Sequence, residues 1–358
     1  MKIIQGALLL HVLIFTSGCS TGTPTVTPLP TNVYKEVAQV TSTKNPPTAT
    51  ATNPTTVTNE PTATIEPKET PIPPTPTEMP TSTPFHPLSG NGGGVIAYVS
   101  EVEGVPGIHI MNADGTDSRQ LTNEFDAHPD WSADGTQIAF STRRSDIVAI
   151  FTVDVATGQV TQLTDTERSP SHPDWSPDGN QIAIVYNPNH PGINYELYLI
   201  NSNGKNFNAL TDSAGYQTYA GPDWSPDGTQ IVVASDLEDN FNIYRMNSDG
   251  SNIVQLTTDT ADDRFPAWSP DGEHIAFETY QDGNWEIYVM NADGTDLQNV
   301  SNSPDREQWP VWSPDGRRLV FQTDRDGNWE IYSINLDGTD LQRLTNNEIK
   351  DTEPSWHQ

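Results

Sequence analysis

The chain has 358 residues and a formal net charge of −31, from 48 acidic and 17 basic side chains. A surface so acidic repels phosphate backbones and anionic lipid headgroups, which argues against nucleic acid and against membrane binding through its folded part. Cys19 is the only cysteine, so an internal disulfide is excluded.

The composition changes near Gly90. Before it lie half of the thirty prolines and no Asp; after it lie all nine tryptophans. Residues 1–88 carry four Lys and five Glu, a net of −1, so the other 13 basic and 43 acidic residues leave −30 on the rest. This contrast predicts a non-globular segment followed by one globular domain of about 270 residues, a length that a single all-β domain can reach.

Residues 1–19 read as an export signal: Lys2, an apolar run from Ile3 to Phe15, then small residues before Cys19. The run is too short to span a bilayer. Thr16-Ser17-Gly18-Cys19 resembles the lipobox of bacterial lipoproteins, with Thr16 where Leu is usual, and the resemblance implies that Cys19 becomes a lipidated N-terminus. The alternative is a cleaved signal that releases a soluble protein. Either way the expectation is an exported chain, at the cell surface or in the periplasm. Residues 20–88 repeat short Thr/Pro phrases with too little apolar surface to offset ordering entropy, which predicts a disordered stalk. At about 3.1 Å per residue it could reach roughly 200 Å.

Beyond residue 88 one phrase recurs, as in Pro173-Asp-Trp-Ser-Pro-Asp-Gly179 and Pro310-Val-Trp-Ser-Pro-Asp-Gly316. Its tryptophans are Trp131, Trp175, Trp224, Trp268, Trp312 and, in a truncated last copy, Trp356. A period near 44 residues signals four-stranded propeller blades. Within each unit a short strand ends at Trp-Ser. Ser-Pro-Asp-Gly then supplies a turn with a left-handed glycine, and an apolar strand such as His274–Phe277 follows. A third strand such as Trp285–Asn291 leads through an Asn-Ala-Asp-Gly turn to a short outer strand, Gln342–Thr345 in the last full unit. The first unit, opening at Val95–Tyr98, has no Trp-Ser strand before it, and Pro354–His357 has no unit after it. Pairing the two gives an all-β, six-bladed β-propeller over 89–358, closed by its C-terminal strand.

These residues resemble the TolB-like, WD40-like propeller repeat known as PD40, whose pattern is roughly Pro-x-Trp-Ser-Pro-Asp-Gly-x-x-Ile-Ala-Phe. The resemblance covers about 89–358 and implies a central channel and a role in protein or peptide binding. The α/β domain that precedes the blades of TolB itself has no counterpart in the Thr/Pro segment, so a role in the Tol system is not expected.

Strand alternation places the Ser-Pro-Asp-Gly and Asn-x-Asp-Gly turns on one face, nearly uniform between units. The other face carries the loops that differ. There the residues just before each Pro-x-Trp strand are His128, His172, Gly221, Phe265, Trp309 and Glu353. A framework position would repeat, whereas these range from imidazole to indole to carboxylate. We expect a ligand ring of His128, His172, Phe265, Trp309 and Glu353, with Tyr219 and Arg264 beside it, that stacks on a peptide, protein or glycan. Trp285 and Trp329 are expected to pack between blades.

No Gly-x-Ser-x-Gly elbow, P-loop or dinucleotide fingerprint occurs, so neither catalysis nor a cofactor is expected. The alternative reading is a metal-dependent polysaccharide lyase or hydrolase in the channel. His128, His172 and His190 would hold its metal, because imidazoles suit transition metals. Calcium in the channel is a weaker alternative, through Asp130, Asp174 and Asp223; turn and strand-end hydrogen bonds are the preferred reading of these residues.

Overall fold

A computed structural model describes residues 93–144, 147–164, 169–187, 195–211, 218–238 and 240–357. The export signal with Cys19, the Thr/Pro stretch and His190 lie outside them. Among the described residues there is no helix, and the strands form six four-stranded antiparallel sheets. Blade 1 holds β1 (Val95–Val102), β2 (Val105–Asn112) and β3 (Arg119–Gln120). Blade 2 holds β4 (Asp126–Trp131), β5 (Gln137–Arg144), β6 (Ile147–Asp154) and β7 (Val160–Gln162). Blade 3 holds β8 (Ser171–Trp175), β9 (Gln181–Tyr186), β10 (Glu196–Asn201) and β11 (Asn208–Ala209). Blade 4 holds β12 (Tyr219–Trp224), β13 (Gln230–Glu238), β14 (Asn240–Asn247) and β15 (Val254–Gln255). Blade 5 holds β16 (Asp263–Trp268), β17 (His274–Thr279), β18 (Glu286–Asn291) and β19 (Gln298–Asn299). Blade 6 holds β20 (Glu307–Trp312), β21 (Arg318–Thr323), β22 (Glu330–Asn335) and β23 (Gln342–Arg343).

The last strand, β24 (Asp351–His357), completes blade 1. It pairs antiparallel with β1, with Val95 opposite His357 and Ile96 opposite Trp356, so the expected closure is the observed one. The fold is a six-bladed β-propeller. No blade is left short of a strand, and the outer edges that remain are strands of only two or three residues.

A four-stranded sheet with two apolar faces cannot hide both alone. Each of the six buried clusters therefore spans two neighbouring blades. The cluster joining Val320 and Ile331 of blade 6 to Ile96 and Met111 of blade 1 closes the circle. The repeated tryptophans Trp131, Trp175, Trp224, Trp268 and Trp312 are only 5–9% exposed at these seams, where truncating an indole to Ala typically costs about 3–5 kcal/mol.

The repeated turns do a second job. In Ser-Pro-Asp-Gly the Gly N–H donates to the Ser carbonyl, as from Gly179 to Ser176 at 2.8 Å, and the Asp carboxylate accepts the Ser hydroxyl. Each Asn-x-Asp-Gly turn lies against the outer strand of the preceding blade. In the blade 3 counterpart Asn201-Ser-Asn-Gly204, a Cβ on Gly204, with φ +75°, would stand 1.8 Å from the Leu163 carbonyl oxygen, so only glycine fits there. A hydroxyl after each outer strand also ties the sheet. Thr345 Oγ1 accepts the Ile331 N–H at 2.9 Å, and its counterparts repeat this in the other five blades.

Candidate functional site

The site is built by a defect common to all six innermost strands. In blade 5, Arg264 pairs with Glu278 and Ala267 with Ala276, so Phe265 and Pro266 together oppose the single residue Phe277. The same two-against-one bulge recurs in every blade. Its first residue has positive φ each time: His128 +54°, His172 +50°, Gly221 +56°, Phe265 +47°, Trp309 +59° and Glu353 +54°. Such a bulge favours glycine at this position, and only blade 4 uses it. Holding a larger L-residue there costs of order 1–2 kcal/mol each. Five strained positions sit at one end of the channel, and strain of this kind clusters where ligands bind.

Side chains from neighbouring blades hold some of these bulges. The His128 N–H donates to Glu353 Oε2 at 2.7 Å, and the Glu353 N–H donates to Gln322 Oε1 at 2.8 Å. The Trp309 N–H donates to Glu278 Oε2 at 2.9 Å. Glu278 is 1% exposed, and burial pushes its carboxyl up to about 7. The sequence reading missed Glu278. Its signal is a carboxylate inside the apolar run His274-Ile-Ala-Phe-Glu278, at a position where other blades have Val99, Ser141, Val185 and Ala234.

The expected ring comes together in part. The rings of His128 and His172 stack at 3.8 Å between centroids, and those of Phe265 and Trp309 at 3.9 Å. Cross-channel pairs complete the group, with His172 5.9 Å from Trp309 and 5.8 Å from Phe265. The four rings lie half-buried against one another at the channel mouth. Burial lowers His128 to about 4. It lowers His172 well below the usual imidazole value too, helped by repulsion from His128 and opposed by the Glu353 carboxylate, so both imidazoles are neutral near pH 7. Glu353 joins the group through its bond to His128, and its own carboxyl is raised by burial.

Two expected members stand elsewhere. Tyr219 is 4% exposed in the hydrophobic seam between blades 3 and 4, with Leu197 and Trp224, because its place at the start of β12 turns it between the sheets. Arg264, one residue before Phe265, faces outward over Phe241 at 4.5 Å and Trp285 at 5.5 Å, and pairs with Asp262 at 2.9 Å. Trp285 and Trp329 are half-buried, and Arg306 lies 5.0 Å over the latter. The asparagines before them hold the blade-connecting loops, Asn284 Nδ2 donating to the Ser303 and Asp305 carbonyls.

Behind the rings, residues from all six blades enclose a cavity of about 110 Å³ on the propeller axis. Asp130, Asp174 and Asp223 line it from blades 2, 3 and 4. One oxygen of each accepts the backbone N–H of the next blade's tryptophan, Trp175, Trp224 and Trp268, at 2.7–2.8 Å. This is the strand-end hydrogen bonding weighed against calcium. Shielding from bulk water raises Asp130 to about 7 and Asp223 to about 8. It raises Asp174 well above its usual value, helped by repulsion from the other two. Among the described residues, the one grouping of three side chains close enough to share a metal ion is Asp271, Glu273 and His274, on the opposite, turn-bearing face.

Comparison with known proteins agrees with this architecture. The model of the TolB beta propeller domain, PD40, matches residues 81–218, 215–308 and 266–358. Among solved structures, TolB from Acinetobacter baumannii superposes with a TM-score of 0.67 at 22% identity, over 75% of this chain and 67% of that one. A putative TolB from Agrobacterium tumefaciens gives 0.58 at 20% identity, over 70% and 88%. An oligogalacturonate lyase from Vibrio parahaemolyticus gives 0.51 at 18%, over 72% and 75%. At these identities the structural likeness establishes the fold alone, and no curated protein matches by sequence. The family match spans well over half of the chain, which therefore belongs to the TolB β-propeller domain family.

Proposed function

We propose that this protein is an exported binding module that recognises a protein or peptide segment with the channel mouth on its loop-rich face, and that it performs no catalysis itself. The observation that carries this reading is the convergence of one positive-φ bulge residue per blade, five of them strained and four aromatic, over a small axial cavity. Stacked, half-buried rings of different kinds offer apolar area and a defined shape with few rotamers to freeze, which suits recognition. The propeller seams support the mouth rigidly, so binding orders little else. In this reading the stalk and a lipid on Cys19 hold the propeller away from a membrane.

A channel metal enzyme receives less support. Metal ligation needs imidazole lone pairs that converge in the ring planes, whereas His128 and His172 lie face to face, each with Nδ1 near a serine hydroxyl. The test replaces Phe265 and Trp309 by Ala in the full chain and compares capture of exported partners with the unaltered protein. Loss of a partner captured by the parent supports the mouth. Unchanged capture of every partner defeats it, and stoichiometric Mn, Zn or Fe in the purified protein would revive the enzyme reading.

A further inference from the structure

We propose that the seam between blades 4 and 5 binds a calcium ion through Asp263 and Asn242 Oδ1, with Asp259 closing over it from the rim. The site lies off the propeller axis, so its fate is separate from that of the mouth.

The first residue of the innermost strand is a fully buried carboxylate in blades 5, 6 and 1: Asp263 in β16, Glu307 in β20 and Asp351 in β24. Two of these are matched by donors. Glu307 takes the Arg325 guanidinium at 2.9 Å and the Thr323 hydroxyl at 3.0 Å. Asp351 takes the Ser100 hydroxyl at 2.6 Å and Asn347 Nδ2 at 2.7 Å. Around Asp263 the corresponding donors are replaced. Gln281, exposed, stands where blade 6 has Arg325, and Asp259 stands where the connection to blade 1 has Asn347. Arg264 gives its guanidinium to Asp262. The hydroxyls of Thr257 and Thr279 lie beside the Asp263 carboxylate, yet neither of its oxygens accepts a well-formed hydrogen bond. Burial raises its carboxyl to about 6, with those hydroxyls opposing and Asp259 and Asp262 adding repulsion, so near pH 7 the seam encloses a charge without a partner. Enclosing such a charge is unfavourable unless a cation joins it.

Asn242 points to a ligand independently. It is 1% exposed and takes the place that Glu286 and Glu330 hold in the next two blades. Its Nδ2 donates to the Asn240 carbonyl at 3.2 Å, which fixes the amide and leaves the buried Oδ1 with no donor. The repeat shows how these positions meet. In blade 6 the Asn347 N–H donates to Glu330 Oε1 at 3.1 Å while Asn347 Nδ2 donates to Asp351 Oδ2, so one residue bridges the other two. The corresponding trio between blades 4 and 5 is Asn242, Asp259 and Asp263, which offers a bare carbonyl and two carboxylates and has lost the bridging amide. The connecting loop is pinned, Asn240 Nδ2 donating to the Ala261 carbonyl and the Ala261 N–H to Asp259 Oδ1 at 2.7 Å. Asp259 is exposed, which gives an ion a way in from solvent. Two carboxylates with neutral oxygens and no imidazole or thiolate suit calcium, a hard cation that takes about six to eight oxygen ligands, water included, in flexible geometry.

The experiment strips the full chain with EDTA and titrates it with calcium chloride by isothermal calorimetry. One ion per chain should bind, with a Kd on the order of 10⁻⁴–10⁻³ M, the range of extracellular calcium modules. Asp259→Asn, a rim change that copies Asn347, should weaken binding roughly tenfold or more and leave the circular dichroism of the parent, because affinity follows the number of charged ligands. Asp263→Asn should do the same from the buried end. No uptake at millimolar calcium would overturn the proposal. So would binding that both variants retain, and loss of that binding in Asp174→Asn or Glu273→Gln would put the ion on the channel axis or on the turn face instead.

Discussion

Glu278→Gln isolates the cost of a buried carboxylate that supports the mouth. The next blade provides the template: Gln322 Oε1 holds the Glu353 N–H at 2.8 Å much as Glu278 Oε2 holds the Trp309 N–H at 2.9 Å. The amide keeps the acceptor for the bulge and removes the ionisation, while the Gln308 amide, which donates to Glu278 Oε1 at 3.2 Å, has to turn over to accept instead. Burial raises the Glu278 carboxyl from 4.5 to about 7, so the fold binds its proton more tightly than the unfolded chain does. That contribution is present in acid and is lost as pH rises through about 7. Between pH 5.5 and 8 such a group forfeits about 1.4 of the pKa units that separate the two states, or ~2 kcal/mol at about 1.36 kcal/mol per unit. The histidines held neutral by burial, His109 and His128, act in the opposite sense below about pH 6.5 and are the same in both proteins, so they cancel in the difference. Thermal unfolding of both proteins at pH 5.5 and pH 8 measures it. The variant's advantage over the parent should grow by roughly 4–8 °C from pH 5.5 to pH 8, given about 2–4 °C per kcal/mol for domains near this size. A variant that shows the parent's full pH dependence would refute the reasoning.

Two further predictions concern the frame. Gly283 (φ +93°) has open space around it, so Gly283→Ala should cost only about 1 kcal/mol of backbone strain. Gly204→Ala would drive a methyl into the Leu163 carbonyl and should cost clearly more in chemical unfolding; equal costs would mean that the turns do not press on the neighbouring blade. Thr345→Val keeps the shape, leaves the Ile331 N–H without its acceptor, and should cost about 1–3 kcal/mol. A change under 0.5 kcal/mol, the usual scatter of neutral surface substitutions, would deny that hydroxyl its structural part.

The fold was legible because its signals are local and repeated. Trp131 and its successors report one seam each, and the spare strands at Val95 and Pro354 leave a single way to close the ring. The mouth was legible as positions, since the residue before each Pro-x-Trp strand varies. Its mechanism was not, because a bulge is a relation between two strands and the residue before a proline carries no mark of positive φ except at Gly221. Tyr219 was misplaced for a related reason. Its side chain falls at the strand's start, where the pleat turns it into the seam between blades instead of toward the axis. Glu278 and Gln322 act on the next blade, a contact that sequence order hides even though their polarity within apolar strands was there to be noticed.

The measurement that bears most directly on this account places a photo-crosslinking benzoylphenylalanine at Phe265, in the mouth, and separately at Glu273, exposed on the turn face. In cells that export the full chain, irradiation should join a partner through position 265 and leave position 273 without an adduct. Adducts that form only from position 273, or equally from both, would contradict recognition by the channel mouth.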